Sequence, residues 1–359
     1  MKNFDSVTKP FTSSPYTPIP MTIKIGIVGL GRIGKIHFDN AHFKLRNAEV
    51  IAASDPFASA REYALARGVA NVYESHEALL ENDALDAVVI CSPTTLHAQQ
   101  VRAFTAAGKH IFCEKPLDLD LDVIRELDEG ARAAGIQLML GFNRRADGEY
   151  RALQAGIEAG KVGDLHILRI TSRDPGPPPV SYIKTSGGLF LDMTIHDFDM
   201  ARFLTGSEVE EVYARGAVRV DPAIGEAGDI DTATLILQCS NGAMVMIENS
   251  RKAVYGYDVR AEAFGSGGML SIGNRLHNLA LHYDESGGHV ANPMDFFMDR
   301  FEDSYLTEMT DFVNALEQGQ EVPVTAHDGL MASAIGLAGQ LSLRENRPVR
   351  VSEILNRKM

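Results

Sequence analysis

The sequence predicts an α/β protein of two domains: a doubly wound parallel sheet first, then an α+β domain with a large, mostly antiparallel open sheet. Three observations carry this. Residues 22–140 alternate short, continuously apolar β-rich runs with helical patterns, as a parallel sheet covered on both faces requires. After Gly141 the strands lengthen and turn residues separate them, with Ser240-Asn241-Gly242 as a hairpin signal of the type I′ kind. At 359 residues the chain is long enough for two cores. The expected division is a flexible Ser-, Thr- and Pro-rich tail over 1–21, a first domain over 22–142 and a second over 143–359.

Composition narrows the function. Apolar content of 45% and charged content of 23% suit a soluble globular enzyme. Lys plus Arg 34 against Asp plus Glu 48 gives a net charge of −14, a surface that repels phosphate backbones and anionic lipid. Nucleic acid and membrane partners are therefore not expected, and no apolar run approaches the roughly 20 residues of a bilayer span. Cys91, Cys113 and Cys239 lack paired spacing and each sits in an apolar run, so buried free thiols and a reducing compartment are expected.

In chain order, Thr22–Val28 is a β-rich run that leads directly into Gly29-Leu30-Gly31-Arg32-Ile33-Gly34 and a helical pattern. A second strand, 50–54, ends in Asp55 about 20 residues on. Strand, G-x-G-x-x-G, helix, strand and acid together are the dinucleotide fingerprint of a Rossmann domain. Gly29, Gly31, Arg32, Ile33 and Gly34 form the expected phosphate turn. Asp55 would accept from the ribose hydroxyls and repel a 2′-phosphate, favouring NAD over NADP, with Arg61 nearby as a softening influence. Strands at 87–91, 110–114 and 136–140 follow, separated by helices. Ligands bind beyond the carboxyl ends of such strands. Ser92-Pro93-Thr94, His97 in the next helix and Glu114-Lys115-Pro116 are placed there. His97 also reads as a solvated first-turn residue, and Lys115 as a surface lysine paired with Glu114.

The second half reads as a helix over 147–159, strands at 164–173, 209–220, 232–239, 243–249 and 258–264, and helices at 301–318 and 327–343. Gly187–Leu204 is apolar almost all round. If it is helical from about Asp192, then Asp192, His196 and Asp199 fall at i, i+4 and i+7 on one side, lining a polar cavity or satisfying one another. Asp192 also reads as an N-cap. Asp174–Pro179 is a stiff loop just upstream, and Tyr257 follows a basic pair at a strand junction. Leu235, Leu237, Met244 and Met246 are expected on an apolar outer sheet face that favours self-association.

The glycine fingerprint, Glu-Lys-Pro and Asp-x-x-x-His together resemble the Gfo/Idh/MocA oxidoreductase superfamily, from Thr22 almost to the C-terminus. SRDPGPPPVSYIKTSGGLFLDMTIHDFDMARFL and NSRKAVYGYDVRAEAFGS look like its bacterial inositol 2-dehydrogenases. The resemblance implies catalytic roles for Lys115, Asp192 and His196, and substrate contacts at Asn143, Arg144, Asp199 and Tyr257. It implies NAD as cofactor, no metal, a cyclic polyol oxidised to a ketone (myo-inositol to 2-keto-myo-inositol), a homotetramer and a cytoplasmic setting. A dehydrogenase of another inositol epimer or of a free sugar stays open, as does a non-catalytic NAD sensor. His196, with an ordinary pKa of about 6.5, would be the base, Asp192 its orienting partner and Lys115 the group that steadies the developing alkoxide.

Overall fold

A computed structural model describes residues 22–357; the expected tail over 1–21 lies outside them. Among the described residues no helix is long and apolar enough to cross a membrane. Strands β1 (Ile23–Val28), β2 (Ala48–Ser54), β3 (Asn71–Tyr73), β4 (Ala87–Ile90), β5 (His110–Glu114) and β6 (Leu138–Gly141) form a wholly parallel sheet in the order β3-β2-β1-β4-β5-β6. The order reverses between β1 and β4, which opens a crevice beyond their carboxyl ends. All four residues of β4 are buried, as a strand covered on both faces must be. The three-residue β3 is too short to show a periodicity in the sequence.

A second sheet takes β7 (Leu165–Arg173), β8 (Val209–Ala217), β9 (Thr232–Cys239), β10 (Met244–Ser250), β11 (Asp258–Gly265) and β12 (Gly268–Ile272). An exposed hairpin, β13 (Leu281–Asp284) with β14 (Gly287–Val290), precedes a last short strand, β15 (Val349–Arg350). The large sheet runs β12-β11-β7-β10-β9-β8-β15 and is antiparallel except where β7 pairs with β10. The β9–β10 turn differs from the expected type I′. Gly242 has φ +91° and Asn241 does not share the positive φ, while Gly242 N–H donates to Cys239 O and Cys239 N–H to Ala243 O. That is a three-residue loop closed by a glycine bulge.

Alternation along β9 buries Ala233, Leu235, Leu237 and Cys239 and turns Ile236 outward. The expected outer face is thus corrected: Leu235 and Leu237 lie inside, and Ile236, Met244, Met246, Phe264 and Met269 lie outside. The inner face is covered by the helices Ile195–Thr205 and Ala326–Glu345. The latter also packs on the helix Leu121–Ala134 and on β6, and the helix Glu302–Gln318 returns to β1 and the helix Arg32–Asp39. The two sheets are thereby held by shared helices, with the crevice between them.

Candidate active site

The first wall is the turn after β1. Gly29 has φ +88°, and a Cβ on Gly34 would lie 1.9 Å from Gly29 O, so only glycine lets this helix start so close to its strand. Above Gly31 there is open space, and the helix Arg32–Asp39 has no side-chain cap, which leaves its first N–H groups for an anion. Arg32 is exposed and Ile33 half-buried at this rim. Asp55 is held by Leu30 N–H at 2.8 Å and Phe57 N–H at 2.9 Å. Arg61 donates to Asp55 O, Pro56 O and Glu74, so its guanidinium is already engaged. These features fit a dinucleotide with a free 2′-hydroxyl.

Beyond β4, Ser92 Oγ donates to Gln100 Oε1 at 2.6 Å and Pro93-Thr94 opens the helix Thr94–Ala106. His97 is neither solvated nor free to touch a cofactor. It is 1% exposed, with Nδ1 2.8 Å from Pro116 O and Nε2 2.9 Å from Ser92 O, and burial holds its pKa below the ordinary value. The ring ties the β4 and β5 loops together. Glu114 is also redirected: its carboxylate accepts from His37 Nε2 at 2.7 Å, away from the rim. Successive residues of an extended strand point to opposite sides, so Glu114 turns under the sheet and Lys115 turns to the crevice.

Lys115 Nζ donates to the main-chain carbonyl of Asp192, 3.0 Å away in the second half of the chain. The helix expected from Asp192 is two helices, Gly188–Asp192 and Ile195–Thr205, separated at Met193-Thr194. Gly187 and Gly188 both have positive φ at its start, and buried Thr194 hydrogen-bonds Asn249 Oδ1 at 2.8 Å, so the chain bends where periodicity read continuity. Asp192 ends the first helix, which corrects the N-cap reading. Its carboxylate accepts from Tyr182 Oη at 2.9 Å and Arg251 Nη1 at 3.0 Å, and the expected Asp192–His196 hydrogen bond is not made.

His196 packs edge-on to Phe142, ring centroids 6.1 Å apart. Its Nδ1 is buried without a hydrogen-bond partner, which leaves Nε2 as the nitrogen open to the crevice. Burial, then the Lys115 and Arg144 charges, hold its pKa well below the ordinary value, so it is neutral at physiological pH. Asn143 is buried at the start of the turn after β6. Arg144, 2% exposed, donates to Ser172 Oγ and to Asp197, whose other oxygen accepts from Asn249 Nδ2 at 2.7 Å. Tyr257 is buried alongside, its hydroxyl pushed up to about 12 by burial against the pull of Arg144. Asp174 faces Arg251 and Asp192, and burial raises it to about 7.

Asp199 does not join this group. It is fully buried and chelated by Arg145, which also pairs with Asp328, as does Arg202. Burial pushes Asp199 up against Arg145. Asp328 is pushed up by burial but drawn down further by Arg145 and its other donors, to about 2. The expected substrate contact at Asp199 is therefore corrected to a structural ion-pair cluster. Sequence reasoning missed Asp197, Tyr182 and the Arg251–Asp192 pair. Only the basic pair at the end of β10 signalled Arg251.

A nucleotide-binding parallel sheet joined to an open sheet, with an amine from one and an imidazole from the other at a shared crevice, defines a dinucleotide-dependent oxidoreductase. Residues 23–142 match the oxidoreductase family with an NAD-binding Rossmann fold, and residues 150–271 the GFO/IDH/MocA C-terminal domain. The chain belongs to the Gfo/Idh/MocA family. It is 45% identical to a myo-inositol 2-dehydrogenase of Thermotoga maritima, over 93% of this chain and all of that one. It is 42% identical to an inositol 2-dehydrogenase of Rhizobium meliloti over 92% of this chain and all of that one. It superposes on scyllo-inositol dehydrogenase from Lactobacillus casei with bound NAD(H) and scyllo-inositol at a TM-score of 0.87, with 36% identity, covering 92% of this chain and 99% of that one.

Proposed function

We propose that this protein is an NAD-dependent inositol 2-dehydrogenase that oxidises myo-inositol to 2-keto-myo-inositol. The observation that carries the reading is the reach of Lys115 Nζ across the crevice to Asp192 O, with His196 in the first turn of the helix that follows. Identity of 42 to 45% to inositol dehydrogenases over nearly the whole chain supports the substrate class.

The cofactor, when bound, supplies the two-electron acceptor for the substrate C–H hydrogen. Gly29, Gly31, Arg32, Ile33 and Gly34 hold its pyrophosphate, Asp55 its ribose, and Ser92, Pro93 and Thr94 the rim beside Lys115. His196 Nε2 takes the hydroxyl proton, being unprotonated beforehand. Lys115 donates to the same oxygen and opposes the charge that develops there. Asp192 serves through its main-chain carbonyl, which fixes the Lys115 amine, while its carboxylate holds Arg251 and Tyr182 at the same edge of the crevice. Asn143, Arg144 and Tyr257 line the polyol end, where a hydroxyl in the wrong configuration leaves a buried donor or acceptor unpaired. His97 and Glu114 act on the cofactor side only through the loops they fasten.

The test is NADH absorbance with myo-inositol, scyllo-inositol, other epimers, glucose and xylose, each with NAD and NADP. Fastest turnover on myo-inositol with NAD is expected. Preference for scyllo-inositol or a free sugar would replace the substrate, and tight NAD binding without turnover on any polyol would replace the enzyme by a sensor. We further infer a homotetramer in a reducing, cytoplasmic setting. Three free thiols and the outward row of Ile236, Met244, Met246, Phe264 and Met269 support this. Light scattering should give four times the chain mass, and Met246→Glu should lower it; a monomeric wild type would remove the assembly.

A further inference from the structure

Behind β5, on the side away from Lys115, three ionisable groups meet that the reaction does not use. His37, Glu114 and Glu308 bring atoms within 4.8 Å of one another from three separate elements. His37 follows the phosphate turn, Glu114 precedes Lys115, and Glu308 belongs to the helix Glu302–Gln318. His37 is 0% and Glu308 1% exposed. His37 Nε2 lies 2.7 Å from Glu114 Oε1 and 3.9 Å from Glu308 Oε1, and its ring is caged edge-on by Phe112 and Tyr305. Both Glu308 oxygens are buried without a hydrogen-bond partner. The Glu114 carboxyl in turn rests on Gly141, where an added Cβ would meet it at 3.1 Å.

We propose that Glu308 is a positioning residue for the reaction: its carboxyl, wholly buried against the His37–Glu114 pair, packs the strand end bearing Lys115 against the helix that opens the dinucleotide cradle. That carboxyl is uncharged, as its surroundings require. Glu114 on β5 and Asp311 on its own helix are like charges, the hydroxyl of Tyr305 and the thiol of Cys91 are neutral neighbours, and His37 is already engaged by Glu114. The two guanidinium groups that line the same cavity as Glu308 are taken up elsewhere, Arg151 by Asp311 and Arg145 by Asp199 and Asp328. Burial first, and then Glu114 and Asp311, push Glu308 well above the usual carboxylate range. An ionised Glu308 would repel Glu114 across the His37 ring, and Lys115, one residue on, would move with it. Displacements of the order of 1 Å at a catalytic group cost about 10²-fold in rate.

The inference rests on the reading of Lys115 as the group that steadies the reacting oxygen, and the experiment separates the two. Full-length wild type, Glu308→Gln, Glu308→Ala and Lys115→Ala are assayed with NAD and myo-inositol between pH 6 and 10. Glu308→Gln, the isostere of the neutral acid, should keep kcat within about 3-fold, and its alkaline decline should begin at higher pH because the amide cannot ionise. Glu308→Ala should lose about 10- to 100-fold in kcat with the KM for NAD nearly unchanged. Wild-type kcat in Glu308→Ala, an inactive Glu308→Gln, or an unmoved alkaline limb in Glu308→Gln each overturns the proposal. Full turnover in Lys115→Ala instead removes the lysine reading, whereas loss there beside a normal Glu308→Ala removes Glu308 alone.

Discussion

Arg144 and Arg145 are adjacent, and each holds an aspartate of the same helix, yet the two pairs stand in different surroundings. Arg144–Asp197 is flanked by Ser172, Asn249 and Tyr257 at the crevice, whereas Arg145–Asp199 is covered by Asp328 and Arg202. Two positions on a helix differ by about 200° in direction, so Asp197 and Asp199 diverge, with His196 projecting between them. Two pairs of the same chemistry, the first a little more deeply buried, thus end in different company, one beside the crevice and one inside an ion-pair cluster. The difference lies in which element covers each pair, not in the residues themselves.

The sharpest way to break this contrast is Asp197→Ala. It leaves the Arg144 guanidinium buried and uncompensated, which should cost about 3 to 5 kcal/mol of stability. It should also depress kcat/KM for inositol in the molecules that remain folded. Denaturant melts beside initial rates measure both, and a loss of stability alone would place Asp197 with Asp199. His196→Ala should lower kcat by about 10² to 10⁴-fold with NAD binding and melting nearly unaltered; unchanged turnover takes the imidazole out of the mechanism. Asp199→Ala should cost less, about 1 to 3 kcal/mol, because Arg145 keeps Asp328. Its folded fraction should turn over at close to the wild-type rate, and a large fall in kcat would erase the distinction drawn between the pairs.

The smallest effect is on pH. The protonated His196 ring cannot accept a proton, and its pKa in the folded protein is depressed, chiefly by burial. The acid limb of kcat/KM should therefore lie below pH 6.5, with activity held as pH falls past that value. A limb at or above 6.5 would mean that the ring is more open to water than its surroundings imply.

The first half was legible in sequence because its signals are local. A glycine turn between strand and helix, Asp55 at the next strand end and Lys115 after β5 each follow from neighbours a few residues away. The second half depends on contacts between distant segments. Nothing near Asp192 announces Tyr182 or Arg251 as its partners, and the i, i+4, i+7 stripe drew in Asp199 because it took the helix as unbroken through Met193. His97 shows the same limit. A histidine in a first turn looks solvated until the β5 loop, 19 residues on, folds over it. The sheet face was a matter of parity: strict alternation along β9 sorts Leu235 and Leu237 from Ile236, and pairing of Ile236 with Met246 across β10 then gives the outward row.

The grip on the Lys115 amine at residue 192 comes from a peptide oxygen and not from the aspartate side chain. Every amino acid carries that acceptor, so a change of side chain at this position would disturb the Arg251 pair before it unmoored the lysine. The anchor of the amine is thereby separate from the side chain at 192, whose carboxylate is left to hold Arg251 and Tyr182.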